Sequence, residues 1–315
     1  MLDTSVFKKL AHNDTGSAKG HQGGIVVPKA IVEFFPPLPE VISGTNPTVD
    51  VRLKADLFVD GARVAIVETR YQHQTWGGTR PAERRLTDNL GPLRNLASED
   101  DIVLFAKDLT DDAYIQIHLL RKGTMEYQKL NDQIGTSRWG PVNPQDPPVS
   151  ISEIKEAEAY VEAESKLPAT AFGDERTTTE VISIRKARDR AFRNKVLEQY
   201  DFRCAFTGRR FVSPVSNKTV GLDAAHIVPV HANGSDHPAN GFPLTKELHW
   251  AFDRGLIGVG ADRAILIPQS VAILEGNEFL RDLNGVPIRE AISPALRVLD
   301  EAIAWHRENV LLYPY

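Results

Sequence analysis

GLDAAHIVPVHANGSDHPANGFPLTKELHWAFDRGLIG, residues 221–258, decides how the carboxy-terminal half of the chain folds. It reads as three parts. An apolar strand over 221–230 carries His226. A loop rich in Gly, Asn, Asp and Pro ends at Asn240-Gly241. Thr245 then caps a helix with Glu247 in its first turn. On that helix His249 and Asp253 stand four residues apart, on one face. A strand histidine, a loop asparagine and a helical His/Asp pair thus fall within 38 residues. Each member alone has an ordinary explanation: a satisfied histidine, a turn, an i,i+4 pair. The ordered set is far more specific than any member.

Such a set suits phosphodiester hydrolysis. Water must lose a proton while negative charge on the phosphate and the leaving oxygen is neutralised. His226 is the base candidate, because imidazole titrates near neutral pH. Its second ring nitrogen needs a partner that fixes the tautomer, and the amide or the backbone carbonyl of Asn240 could supply it. His249 and Asp253 offer one nitrogen and one carboxylate oxygen to a metal. That donor set accommodates Mg, Mn, Zn or Ni.

The window resembles HNH nucleases of the ββα-metal type, in their restriction-associated branch. The matching pieces are Cys204-Ala205-Phe206-Thr207-Gly208, Ala225-His226-Ile227-Val228-Pro229, Asn240-Gly241-Phe242-Pro243-Leu244 and Leu248-His249-Trp250-Ala251-Phe252-Asp253-Arg254-Gly255. The resemblance implies His226 as general base, Asn240 as holder of loop and base, and His249 with Asp253 on one divalent metal per site. Magnesium is the first expectation, with Mn, Ni or Zn as alternatives. Many relatives place a further ligand directly before the base. Here Ala225 stands there, and Asp223 is the nearest carboxylate able to replace it. Cys204 is the single cysteine, so the paired-cysteine structural zinc of many relatives is excluded.

At 315 residues, two domains are the natural expectation. One cysteine, no secretory leader and no apolar run of membrane length suit a cytoplasmic protein. Net charge is −5, so the sum does not announce a nucleic-acid partner. The distribution does more. Residues 176–210 hold ten Lys/Arg against four Asp/Glu, and residues 70–94 five against two. Residues 149–175 hold two against seven. Two basic zones around an acidic one suit two DNA-contacting modules on a connector.

The amino-terminal part reads as β structure. Residues 48–59 alternate, with Val49, Val51, Leu53, Ala55 and Leu57 on one face. Further strands are expected over 23–28, 62–71, 102–107 and 114–121, and a short helix over 30–35 before Pro36-Pro37. Many short strands with little helix predict a barrel or pseudobarrel. Two segments look like DNA arms. One is Gly-rich, with Lys19, His21 and Gln22. The other runs over 70–85 and ends in Arg80, Glu83, Arg84 and Arg85. Arginine suits guanine, glutamine adenine, and glutamate a cytosine amino group. Asn13-Asp14-Thr15-Gly16, Gly20-His21-Gln22, Gly24-Ile25-Val26-Val27-Pro28, Phe35-Pro36, Asn46-Pro47, Thr79-Arg80 and Glu83-Arg84-Arg85 together resemble the amino-terminal effector domain of the restriction enzyme EcoRII. That family belongs to a DNA-binding pseudobarrel superfamily whose two arms grip the major groove.

Residues 134–175 read as a connector containing an acidic helix over 151–166. Residues 177–200 read as a helix, whose Arg188 and Arg193 are expected on DNA phosphates. A last helix is expected from Ser293-Pro294 to Asn309. The expectation is therefore an α+β chain: a β pseudobarrel over 1–133, a helical linker over 134–175, and a ββα-metal nuclease domain over 176–315. Double-stranded DNA is the expected substrate, cut to 5′-phosphate and 3′-hydroxyl ends. Cutting both strands needs two centres, hence a homodimer. The alternatives are a nuclease that reads 5-methylcytosine, a non-cleaving DNA-binding regulator and an RNA-processing nuclease.

Overall fold

The computed structural model describes residues 3–18, 23–76, 81–173, 182–212 and 219–312. The chain divides into two units, Met1–Glu153 and Ile154–Tyr315.

The first unit is one curled eight-stranded sheet. Its strands are β1 (Val6–Lys9), β2 (Ile25–Val27), β3 (Thr48–Val59), β4 (Ala62–Gln74), β5 (Glu83–Leu86), β6 (Ile102–Asp108), β7 (Asp111–Leu120) and β8 (Trp139–Pro141). Their spatial order is β2-β5-β4-β3-β7-β6-β1-β8. Only β3 and β7 run parallel; the other pairs are antiparallel. The expected alternation is real: Val49, Leu53, Ala55 and Leu57 are buried. They close on an aromatic centre in which Phe35 stacks on Tyr71 at 5.0 Å and meets the edge of Phe105 at 5.3 Å. The short helix after β2 is a 3-10 turn over Lys29–Phe34. A four-residue helix, α1 (Gly91–Arg94), follows β5.

Sequence reading missed α2 (Met125–Ile134), capped by Thr124, whose hydroxyl accepts from Tyr127 N at 3.2 Å. Its single buried residue, Leu130, is too little for an apolar stripe to show. Helix α3 (Ile151–Glu164) begins at a reciprocal box: Glu153 accepts from Ser150 N and Ser150 accepts from Glu153 N.

A buried ion pair braces the start of the first arm. Lys8 Nζ lies 2.7 Å from Asp14 Oδ2, and both side chains are nearly inaccessible. Asp14 also accepts from Ala11 N and Val26 N, tying β1 to β2. Burial pulls the Lys8 ammonium below its usual range, and Asp14 opposes that pull. Arg94 donates to the carbonyls of Asp14 and Thr15 at 2.8 and 2.6 Å. Asp14 is therefore a brace for the arm. Asp14→Ala should destabilise the first unit by about 3–5 kcal/mol, because it strands a buried ammonium and two backbone donors. The urea midpoint of that unit measures this; a shift worth under 1 kcal/mol would show the pair to be dispensable.

The second unit packs α4 (Ile182–Gln199) on a hairpin and a helix. A two-residue pair, β9 (Phe211–Val212) with β10 (Thr219–Val220), precedes β11 (Leu222–His226), β12 (Gly241–Thr245) and α5 (Lys246–Asp253). The pair β13 (Gly258–Val259) with β14 (Ile265–Leu266) and helices α6 (Gln269–Ala272), α7 (Glu278–Arg281) and α8 (Asp300–Asn309) complete it. The final helix is not continuous from Ser293. Pro294–Leu296 is a 3-10 turn, and Arg297 is extended. Val298 is thereby seated in the core at 2% exposure, so burial overrides helical continuity.

Helix α8 fixes the end of α5. His306 is buried, its Nε2 donates to the Phe252 carbonyl at 3.0 Å, and its ring stacks on Phe252 at 3.7 Å. Burial lowers its pKa from 6.5 to about 4. In the unfolded chain His306 takes a proton near 6.5, whereas the folded chain resists until about 4. The contribution of the neutral ring is therefore complete above pH 6.5 and is lost as pH falls toward 4, by about 3 kcal/mol in all. Urea titrations at pH 7 and 4.5 should show this loss, and His306→Gln should flatten it. Equal pH slopes in the two proteins would exclude His306 as the cause.

Candidate active site

Strands β11 and β12 pair antiparallel with His226 opposite Gly241 and Leu222 opposite Thr245. Helix α5 follows β12 without an intervening loop. Thr245 is its N-cap residue, as the sequence predicts, but its hydroxyl makes no capping bond. The chain between the strands, residues 227–240, folds into a compact loop with 3-10 turns at Val230–Ala232 and Pro238–Asn240.

Asn240 closes that loop. It is fully buried, and its side chain pairs with the backbone as another strand would. Oδ1 accepts from Val228 N at 2.9 Å, and Nδ2 donates to Val228 O at 3.0 Å and Ser235 O at 2.9 Å. Gly234 lets the loop double back, since a Cβ there would lie 1.7 Å from the Val228 carbonyl oxygen. His237 is buried, and its Nδ1 accepts from Ala239 N at 3.1 Å, holding the Pro238–Asn240 turn.

His226 is held on two sides. Its Nε2 lies 3.2 Å from Asp236 Oδ1, whose side chain is 3% exposed. Its ring lies flat on Phe192 of α4, centroids 3.8 Å apart and planes 9° apart. Gly241 makes room for that ring: a Cβ would stand 2.5 Å from Phe192 Cζ. The partner expected for the second imidazole nitrogen was Asn240. The structure sets Asp236 there; the Asn240 side chain is engaged with backbone, and its backbone carbonyl accepts from Ile227 N at 2.9 Å.

His249 lies between two carboxylates. Asp253 Oδ2 is 3.5 Å from Nε2, and Asp223 Oδ2 is 3.9 Å from Nδ1. The facing His249 is the largest influence holding the Asp223 carboxyl below its usual range; burial opposes it, and Lys246 and Arg193 assist. Asp223 is thus ionised at neutral pH, as a metal ligand must be. One imidazole and two carboxylates, all partly exposed, fit a hard or borderline divalent ion in chemistry. Among the described residues, no three His, Cys, Asp or Glu are close enough to enclose an ion.

The basic residues are spent more locally than their sequence pattern suggests. Arg193 donates to the Leu222 carbonyl at 2.8 Å and lies 3.8 Å from Asp223 Oδ1, so it frames β11. Arg188 lies 5.1 Å from the Tyr160 ring centroid. Arg190 is buried against Glu158 at 2.6 Å. In the second arm, Arg85 pairs with Glu83 at 2.9 Å and is largely buried. Arg84 stands on β5 opposite Val27 and His73. Lys19, His21, Gln22 and Arg80 lie outside the described residues.

Sequence reading missed Asp236 and Phe192. Asp236 belongs to an irregular loop with no spacing rule, ten residues beyond the base it meets. Phe192 is the large aromatic among the apolar positions of α4, and that was its one available signal.

A strand, closing loop, strand and helix thus carry His226, Asn240, His249 and Asp253 in this order, a ββα arrangement. Residues 204–260 match the HNH endonuclease family. Residues 2–148 match the family described as restriction endonuclease EcoRII, N-terminal. Two separate stretches, one in each unit, are thus similar to these two families, and the curled amino-terminal sheet agrees with the α+β, pseudobarrel expectation. No curated protein matches it. Among solved structures, it is similar to a "Modification dependent TagI restriction endonuclease", at 20% identity and a TM-score of 0.32. That match spans 44% of this chain and 41% of the other, and its superposition is too loose to bear on fold or chemistry. Among the described residues, no helix is long and apolar enough to cross a membrane.

Proposed function

We propose that the protein is a sequence-specific restriction endonuclease that hydrolyses double-stranded DNA at its ββα centre and reads sequence with its amino-terminal pseudobarrel. The observation that carries this reading is His226, fixed by Asp236 and Phe192 on the hairpin that also presents Asp223 and leads into His249 and Asp253. Its Nδ1 meets no hydrogen-bond partner among the described residues, so one lone pair is open to water. His226 takes a proton from that water at Nδ1. The hydroxide oxygen bonds to phosphorus, the bond from phosphorus to O3′ breaks, and O3′ takes a proton from solvent. The ends are then 5′-phosphate and 3′-hydroxyl. A divalent ion held by His249, Asp253 and Asp223, magnesium first, would neutralise charge on the phosphate and the departing oxygen.

Asn240 does not reach the reacting atoms in this scheme; it holds the loop that holds Asp236. The arms that carry Lys19, His21, Gln22 and Arg80, together with Glu83, Arg84 and Arg85, are assigned to the major groove. Arg188 and Arg193 of α4 are assigned to DNA phosphates. Two chains acting as a homodimer, in the cytoplasm, would supply one cut per strand.

The test is purified protein with Mg or Mn on two plasmids, one unmethylated and one cytosine-methylated. Discrete fragments from unmethylated DNA support the proposal. Cutting only of methylated DNA would replace sequence-only reading with modification reading. Binding without cutting of either DNA would make the protein a regulator, and preferential cutting of RNA would move it to RNA processing.

A further inference from the structure

We infer that Asp236 is a positioning residue for His226, resting on the nuclease reading above. It holds the neutral imidazole as the Nε2–H tautomer, aims Nδ1 at water, and stabilises the imidazolium formed when Nδ1 takes the proton.

Three observations fix the pair, two at the carboxylate and one at the ring. First, it is buried and faces Nε2 at 3.2 Å. A buried carboxylate is an acceptor only, so the proton between the two groups resides on Nε2. Second, its neighbour Ser235 is held by three hydrogen bonds. Ser235 N donates to Ala171 O at 3.1 Å and its hydroxyl to Thr170 O, while Asn240 Nδ2 donates to its carbonyl. Gly173 N donates to Asn233 O at 2.8 Å, and Phe172 bridges to Gly234, so residues 170–173 clamp the loop at residues 233–235, directly before Asp236. Third, Phe192 covers one face of the ring and leaves the imidazole in one plane. Rotation of the ring to present the other nitrogen would break the Asp236 contact.

The logic is that of any base whose second nitrogen is held by a carboxylate: the partner selects the tautomer and steadies the charge that develops. A purely structural aspartate would leave the ring proton undirected, and that difference is measurable without cleavage.

The test uses the full chain without metal. Two-bond proton–nitrogen correlation spectra of His226, assigned by comparison with His226→Gln, report which ring nitrogen carries the proton above the ring's titration. Wild type is expected to show Nε2–H. Asp236→Asn, which is isosteric, is expected to lose that preference, since an amide can also donate to Nε2. On cleavable DNA with metal, the same variant should cut on the order of 10²-fold more slowly with DNA affinity unchanged within about twofold. A wild-type ring protonated at Nδ1 overturns the inference, as does Asp236→Asn cutting within about threefold of wild type. If wild type cuts no DNA, the nuclease reading fails, while the tautomer still decides whether Asp236 directs the ring.

Discussion

His226→Ala should lower the cleavage rate by about 10³-fold while DNA affinity stays within about twofold of wild type. The magnitude follows from the range for a positioned general base, roughly 10²–10⁴. Affinity should hold because His226 is only slightly exposed and makes its contacts inward, to Asp236 and Phe192. The phosphate-directed charges lie elsewhere. The substitution should also leave a slot the size of an imidazole, floored by the Phe192 ring and bounded at one edge by Asp236. Added imidazole is therefore expected to restore part of the lost rate, rising with its concentration. Single-turnover cleavage under saturating protein separates this loss from any loss of binding. If His226→Ala cuts at the wild-type rate, the base is another group. If it loses binding in proportion to cutting, the residue holds DNA and does no proton transfer.

Legibility in the sequence followed periodicity. Strand β3 was readable over most of its length, because Val49, Leu53, Ala55, Leu57 and Val59 fall at a period of two on one buried face, with Asp56 buried out of phase. The same holds for α5, where four-residue spacing places His249 and Asp253 together. What the sequence concealed lies where partners meet without a period. Asp14 sits in a motif that reads as an arm, yet its carboxylate faces inward to Lys8. Asp236 reads as one more polar loop residue, and only the closed loop brings it to His226. Arg190 and Arg193 look like a solvent-facing basic surface on α4, but the unit folds Glu158 and the Leu222 carbonyl against them. A charge pattern records how many charges a helix carries; burial decides which of them remain available to DNA. Asn240 lies between these cases. Its place before Gly241 and the resemblance pointed to a residue that holds the loop and the base; its side chain holds the loop, and Asp236 meets the base.

That task predicts the second large effect. Asn240→Ala should destabilise the second unit by about 3–5 kcal/mol and abolish cutting at once. The residue is fully buried, and three backbone groups depend on it: Val228 N, Val228 O and Ser235 O. Truncation leaves all three without partners in a closed loop, at about 1–3 kcal/mol each before relaxation. Asn240→Asp should fare no better. It keeps the acceptor for Val228 N but sets a second carboxylate oxygen against two carbonyls that require a donor. The loop would then release Ser235, and Asp236 with it, so His226 would lose its partner although its own position on β11 is untouched. The urea midpoint of the second unit, read beside single-turnover cleavage, separates this from the base variant: His226→Ala loses chemistry and keeps most of its stability, whereas Asn240→Ala loses both. An Asn240→Ala protein that melts within 1 kcal/mol of wild type would mean that water can enter the loop and replace the amide. The tight closure around Asp236 would then owe more to Gly234 and the clamp from residues 170–173 than to Asn240.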